Sequence, residues 1–237
     1  MTDNTVYLQP AFILTQRQYR ETSLIIDVLT RDYGRVPVLA KGVRKSKSKT
    51  AGLLQPFIPL TLSYSGKSEL KILTHVEVTD SFVDLEGIAL YCGFYINELI
   101  SRFLHQYDPH PEVFMYYKNS ITSLLDTANI ETTLRIFELD LMDTVGYGLQ
   151  LNYDLCNDKT ISPLAHYHFD LEQGLIEAID GKVSGKTLIA IKSRNLIDSQ
   201  VLYETKILMR KVISTLLNGK PLKSRAVISQ IMQHLEK

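Results

Sequence analysis

Thr22-Ser23-Leu24-Ile25-Ile26-Asp27-Val28-Leu29-Thr30, then Arg31-Asp32-Tyr33-Gly34, then Arg35-Val36-Pro37-Val38-Leu39-Ala40-Lys41 read as strand, turn and strand. β-Branched and large aliphatic side chains fill both runs, and Asp32-Tyr33-Gly34 between them is turn chemistry. Three further runs of the same character flank this pair, at residues 6–15, 57–65 and 69–78. They are separated by residues 16–21, the polar run 45–50 and Ser65-Gly66-Lys67, which again have loop composition. Five short strands within the first 80 residues suit a small Greek-key barrel of the OB type.

Beyond residue 82 the period changes. Ile88, Tyr91, Cys92, Tyr95, Leu99 and Phe103 recur at three- and four-residue spacing, the stripe of a core-facing helix. It stops near Asp108-Pro109-His110-Pro111, where Pro111 can open a second helix with Val113, Phe114, Tyr117, Ile121 and Leu124 on its apolar face. A third helix over 131–145 buries Leu134, Phe137, Leu141 and Val145, with Gly146 placed as a left-handed cap. Residues 150–182 lose the period, and Tyr167-His168-Phe169-Asp170 followed by Gln173-Gly174-Leu175-Ile176 reads as a small hairpin or irregular insert. Ser199 is placed to cap a helix reaching about residue 217, Gly219 to end it, and Pro221 to sit in the first turn of a last helix. The expectation is an α+β chain: an OB-fold nucleic-acid-binding domain over 1–80, then a mainly helical domain over 81–237 with an insert at about 150–182.

The chain has 237 residues, 45% of them hydrophobic, which suffices for one large or two modest cores. No stretch approaches the roughly 18 uncharged apolar residues of a membrane span, and Met1-Thr2-Asp3-Asn4 is not a basic region followed by an apolar one. The expected location is the cytoplasm, with no membrane partner. Cys92 and Cys156 lie far apart and outside any Cys-x-x-Cys pair, which excludes a disulfide framework and a four-cysteine zinc site. Formal charge is zero, 26 basic against 26 acidic residues, yet the distribution is segregated. Residues 1–80 carry 11 Lys/Arg against 7 Asp/Glu, residues 81–181 carry 4 against 16, and residues 182–237 carry 11 against 3. A binding surface feels local charge within about a Debye length, roughly 8 to 10 Å, so a neutral chain of this kind can hold a polyanion. The same segregation lets the acidic middle attract the basic end.

Lys41-Gly42-Val43-Arg44-Lys45-Ser46-Lys47-Ser48-Lys49 places five positive side chains in nine residues, with no acid, on a loop between two strands. Such a loop neutralises phosphates and releases counterions without regard to base sequence. Arg35, Lys41, Arg44, Lys45, Lys47 and Lys49 form the expected phosphate-contacting set; a solvated loop is the plainer alternative. Tyr7, Phe12, Tyr19, Tyr33, Phe57 and Tyr64 supply aromatic rings, mostly for the barrel core, with Tyr19 and Tyr33 beside turns as the candidates for base stacking. Lys206, Arg210, Lys211, Lys220, Lys223 and Arg225 form a second basic group that could extend a DNA path or pair with the acidic middle. Enzymatic signatures are poor. Asp140 and Asp143, near Glu138, invite a metal-nuclease reading, but they fall on the helix face away from Phe137 and Leu141, where a solvated surface explains them. His166 and His168 with Cys156 could in principle ligate zinc, though alternating histidines in a hairpin are commonly surface residues. Gly-x-x-x-x-Gly-Lys-Ser/Thr is absent. The residues favour a non-enzymatic, cofactor-free binder; an OB adaptor for RNA or protein and a metal nuclease are the rival classes.

Several segments resemble one family. Ala11-Phe12-Ile13-Leu14, Tyr19-Arg20-Glu21-Thr22-Ser23-Leu24, Gly34-Arg35, Ala40-Lys41-Gly42-Val43-Arg44-Lys45 and Leu54-Gln55-Pro56-Phe57 look like the N-terminal barrel of the RecO recombination mediators. Tyr91-Cys92-Gly93-Phe94-Tyr95-Ile96-Asn97-Glu98-Leu99, Leu134-Arg135-Ile136-Phe137-Glu138-Leu139, Gly146-Tyr147-Gly148 and Gly219-Lys220-Pro221-Leu222-Lys223-Ser224-Arg225 are similar to the helical domain of that family. The resemblance implies a cytoplasmic, nucleoid-associated mediator that binds single- and double-stranded DNA and anneals complementary strands. It also implies assistance in recombinase loading, with RecR and the acidic C-terminal tail of single-stranded DNA-binding protein as partners. Arg135 lies in the Leu-Arg-x-Phe-Glu-Leu segment and is the candidate contact for that tail, the alternative being a pair with Glu131 one turn earlier. Many members carry a four-cysteine zinc module after the Gly-Tyr segment. This chain keeps only Cys156 there, so it resembles the zinc-free branch, and residues 150–182 are expected to hold together by packing.

Overall fold

Strand pairing in the N-terminal part follows from the alternation of its side chains. The computed structural model describes residues 5–46, 48, 50–79 and 83–235. Five strands, β1 (Thr5–Tyr19), β2 (Ser23–Thr30), β3 (Gly34–Ala40), β4 (Leu60–Ser65) and β5 (Lys71–Val78), close into a barrel in the order β1-β2-β3-β5-β4. Neighbours are antiparallel except β3 and β5, which close the barrel in parallel. Alternate residues fill the interior: Ala11 and Ile13, Ile26 and Val28, Val36 and Val38, Leu60, Leu62 and Tyr64. This is the OB-type barrel the strand pattern predicts.

Two boundaries differ from expectation. β1 continues through Gln16-Arg17-Gln18-Tyr19, pairing from Thr15 opposite Asp27 to Tyr19 opposite Ser23. Residues 15–18 are exposed, so this end of the hairpin lacks an apolar face and carries no alternation to read. Conversely, residues 57–59 are not strand. Phe57 has a φ of +70°, and β4 begins only at Leu60, after Pro59.

The other face of β1 carries Phe12 and Leu14 onto two helices, α1 (Gly87–Phe103) and α2 (Pro111–Ser123). The Phe12 ring lies 5.4 Å from that of Phe114 and 4.9 Å from that of Tyr117. The buried Asn97 amide donates to the Leu14 carbonyl at 2.9 Å. Pro111 is the first residue of α2, as its fixed φ and missing N–H suit. The barrel and these two helices make one compact unit, up to Leu125; a second begins at Asp126. The expected boundary after residue 80 falls among residues 80–82, outside the described residues.

The second unit holds α3 (Ile130–Thr144), the short strands β6 (Tyr153–Asp154), β7 (Lys159–Thr160), β8 (His166–Asp170), β9 (Gly174–Glu177) and β10 (Val183–Ser184), then α4 (Gly185–Lys192), α5 (Ser199–Leu216) and α6 (Lys223–Leu235). β8 and β9 are the expected hairpin, with β10 added to its edge. Gly146 takes a φ of +85° after α3 and Gly219 a φ of +71° after α5, both left-handed as a helix terminus requires. α4 has no counterpart in the sequence expectation; it is eight residues long, opens on glycine and shows barely two turns of pattern. Its start is fixed by Ser184, whose hydroxyl accepts from the Thr187 amide. The cap of α5 is Asp198 rather than Ser199, its carboxylate accepting from the amides of Gln200 and Val201. The last helix begins at Lys223, two residues beyond Pro221.

The region from 150 to 182 is held by a carboxylate as well as by packing. Asp154 is buried and accepts hydrogen bonds from the amides of Cys156, Asn157 and Glu177 and from the Asn157 side chain, at 2.7 to 3.0 Å. It joins the β6–β7 turn to β9. Burial alone would raise its pKa; the Asn157 side chain and the three amides outweigh that and hold the carboxyl below its usual range. A depressed folded value means the contribution is complete above the unfolded pKa near 3.9 and lost as pH falls through the folded value. Asp154→Asn is therefore expected to be less stable than the parent at pH 7, with the gap narrowing below about pH 4, measured by thermal unfolding across that range. A gap independent of pH would remove the carboxylate from this role.

Candidate nucleic-acid interface

The β2–β3 register sets Leu24 opposite Ala40, so the β1–β2 turn and the chain leaving β3 emerge at one end of the barrel. There the Arg44 amide donates to the Thr22 carbonyl at 2.9 Å and its guanidinium to the Arg20 carbonyl at 3.3 Å. Gly42, at a φ of +71°, turns the chain so that the Lys45 amide returns to the Gly42 carbonyl at 3.3 Å. Between the two segments lies an open cleft bordered by Tyr19, Arg20, Ser23, Leu39, Lys41 and Lys45. Arg20, Lys41, Arg44 and Lys45 are all exposed, against a single acid, Glu21. The Arg20 guanidinium sits 5.2 Å from the centre of the Tyr19 ring. Lys47 and Lys49 lie outside the described residues.

Arg20 was not among the expected contacts. Read as part of a featureless loop, it gave no reason to be grouped with Lys41, 21 residues away; only the pairing of β2 with β3, which sets Leu24 opposite Ala40, brings the two together.

Arg35 has another task. Its side chain is only 12% exposed and bonds Asp27 at 2.5 Å and the carbonyls of Ser101 and Leu104 at 2.7 Å each. A cation on the last carbonyls of α1 satisfies groups that the helix itself leaves open. Its donors are occupied inside the fold, which takes it out of the phosphate-contacting set.

Arg135 is likewise interior. With 6% of its side chain exposed, it bonds the fully buried Glu138 at 2.6 Å, while Glu131 goes instead to Lys206. A surface contact for a partner's tail does not fit that position. Removing one member of a buried pair costs about 3 to 5 kcal/mol, so Arg135→Ala is expected to lower the melting temperature sharply; an unchanged melting curve would make the pair dispensable.

Of the second basic group, Lys206 on α5 is engaged by Glu131, whose carboxyl is held below its usual range first by that hydrogen bond, with Arg210 also contributing. Arg210 is exposed on the same helix, Lys223 is exposed and Arg225 half-buried on α6. Here internal pairing with the acidic middle accounts for Lys206. Asp140 and Asp143, read as a solvated face, are clamped by Arg194, which bonds them at 2.9 and 2.5 Å and also caps the Ile191 carbonyl at 3.0 Å. Cys156 donates to Gln173 at 3.4 Å, and among the described residues no three His, Cys, Asp or Glu side chains converge as metal ligands. Nor is any helix among them long and apolar enough to cross a membrane.

A closed OB-type barrel with arginines and lysines gathered around an exposed rim cleft is the frame of a nucleic-acid-binding protein. Residues 1–82 match the family model described as Recombination protein O N terminal and residues 85–226 that described as Recombination protein O C terminal. Proteins named DNA repair protein RecO are similar over nearly the full length. That of Methylococcus capsulatus is 43% identical across 93% of this chain and 92% of its own, and that of Nitrosospira multiformis 38% identical across 95% and 96%. One from Coxiella burnetii is 42% identical across 94% and 98%. The chain belongs to the RecO family of DNA repair and recombination proteins.

Proposed function

We propose that this protein is a recombination mediator that binds single- and double-stranded DNA through the barrel rim and anneals complementary strands without covalent chemistry. The observation that carries the reading is the cleft where Arg20, Lys41 and Lys45 converge beside Tyr19, with the Arg44 guanidinium bonded to the Arg20 carbonyl next to it. Exposed cations on flexible stems reduce the repulsion between two strands while leaving the bases free to search for register. Lys47 and Lys49, in the same run of sequence, belong to the same set. Arg210, Lys223 and Arg225, on the second unit, are proposed as secondary phosphate contacts. RecR and the C-terminal tail of single-stranded DNA-binding protein are the proposed partners, with recombinase loading as the joint outcome. The site for that tail is left to surfaces other than Arg135.

The experiment is annealing of complementary strands precoated with the cognate single-stranded DNA-binding protein, with and without its C-terminal tail, in the absence of ATP. Acceleration that depends on the tail is expected. No acceleration with the DNA intact would favour an OB adaptor for RNA or protein, and consumption of the DNA with magnesium or manganese would favour a nuclease.

A further inference from the structure

At the opposite end of the β2–β3 pair from the basic cleft, three tyrosines meet. Tyr33, in the β2–β3 turn, is 44% exposed, and its ring stands edge-on to that of Tyr64 at 6.4 Å. Tyr107, in the α1–α2 link, is 38% exposed and takes a φ of +62°, a left-handed conformation that a non-glycine residue rarely adopts. It is held there by three contacts: its amide donates to the Arg35 carbonyl at 2.9 Å, its hydroxyl donates to the Glu69 carbonyl, and the Lys71 ammonium lies 5.4 Å from its ring centre. The Tyr33 turn is pinned as firmly. Its amide donates to the Thr30 hydroxyl at 3.2 Å, that hydroxyl to the Gly34 carbonyl at 2.7 Å, and Asp32 exchanges hydrogen bonds with Gln9.

Tyr64 lies inside the barrel, 2% exposed, and its hydroxyl has no hydrogen-bond partner among the described residues. Burial, then the adjacent phenols of Tyr33 and Tyr107, raise its pKa, so it remains a donor at any physiological pH. Lys71 adds positive charge beside the Tyr107 ring, and Lys67 is exposed on the β4–β5 link that leads into β5.

We infer that Tyr33 and Tyr107 form a stacking platform for the bases of single-stranded nucleic acid, with Lys67 and Lys71 supplying positive charge for its phosphates and buried Tyr64 supporting the Tyr33 ring from inside the barrel. Rigid exposed rings interleaved with lysines are what sequence-tolerant single-strand binding uses. The eight residues of β2 separate the two ends, roughly 25 Å at strand rise, within reach of the about 4 to 16 nucleotides that an OB fold occupies. The inference rests on the nucleic-acid reading of the barrel and adds a second contact point to it.

Stacking and charge separate by salt. The variant Tyr33→Leu with Tyr107→Leu is expected to lower affinity for oligo-dT about tenfold or more while leaving the slope of log K against log salt unchanged, because no charge is removed. Tyr33→Phe with Tyr107→Phe keeps the rings and is expected to bind within about twofold of the parent. The chain contains no tryptophan, so Tyr33→Trp provides a single reporter whose emission is expected to be quenched by oligo-dT even if the leucine pair folds poorly. Parental affinity of a folded leucine pair, or Trp emission unaltered by saturating oligo-dT, would overturn the platform. If the parent binds oligo-dT and reversal of Arg44 and Lys45 weakens it while these two results fail, the platform alone is wrong; if the parent does not bind, the nucleic-acid reading fails first.

Discussion

Reversing Arg44 and Lys45 together to glutamate is expected to weaken single-stranded DNA binding by about 50-fold at 50 mM salt and to flatten its salt dependence by roughly 1.4 in the slope of log K against log salt. Each phosphate neutralised on a single strand contributes about 0.7 to that slope through released counterions, so two lost contacts account for both figures. Both side chains are exposed, and among the described residues the Arg44 guanidinium makes one long bond, to the Arg20 carbonyl, so the fold does not depend on them. Melting is expected to stay within about 1 kcal/mol of the parent, as for surface substitutions generally. Titration of a labelled oligonucleotide at several salt concentrations separates the outcomes. An unchanged slope would mean that the rim cations touch no phosphate, whatever happens to affinity. The same double reversal is expected to slow strand annealing in proportion, because both depend on the rim field.

The barrel was legible because runs of β-branched and large aliphatic residues over Thr22 to Lys41, broken by Asp32-Tyr33-Gly34, have the composition of two strands and a turn, which pair in the structure. α1, α2 and α3 were legible from apolar residues at a period of 3.6. What escaped were places where a side chain's partner lies far away in sequence. Arg35 looked like a member of a basic loop because nothing local announces the carbonyls of Ser101 and Leu104, 66 and 69 residues on. Arg194 was overlooked and its partners Asp140 and Asp143 read as solvated, since their contact spans 54 and 51 residues. Asp154 falls in the same class: a carboxylate in a segment with no period gives no sign that it is buried under four donors. Arg135 marks the converse error. A family segment drew attention to it, whereas the spacing to Glu138, one turn on, already offered a local partner.

Gly34→Ala is expected to be the most damaging single methyl group in the first unit. Gly34 has a φ of +67°, and a Cβ there would lie 2.1 Å from the Asp108 carbonyl oxygen and 2.5 Å from its carbon, both backbone atoms. The left-handed conformation alone costs alanine about 1 kcal/mol. Gly174, in the β8–β9 turn of the second unit, has a φ of +78° but nothing within 4 Å of its Cβ position, so Gly174→Ala isolates that conformational cost. Gly34→Ala must also push the α1–α2 link away from the barrel, against the Arg35 bonds that hold the end of α1, and overpacking of this kind adds about 1 to 3 kcal/mol. A total near 3 kcal/mol corresponds to a fall of roughly 10 °C in melting temperature. The link carries Tyr107 and the turn carries Tyr33, so the same methyl group separates the two rings that are proposed to hold a base. Folded Gly34→Ala protein is therefore expected to lose oligo-dT affinity with its salt slope intact, as the leucine pair does. Melting no lower than that of Gly174→Ala would show that the link gives way freely, and would leave the tyrosine platform without the rigid seat its stacking requires.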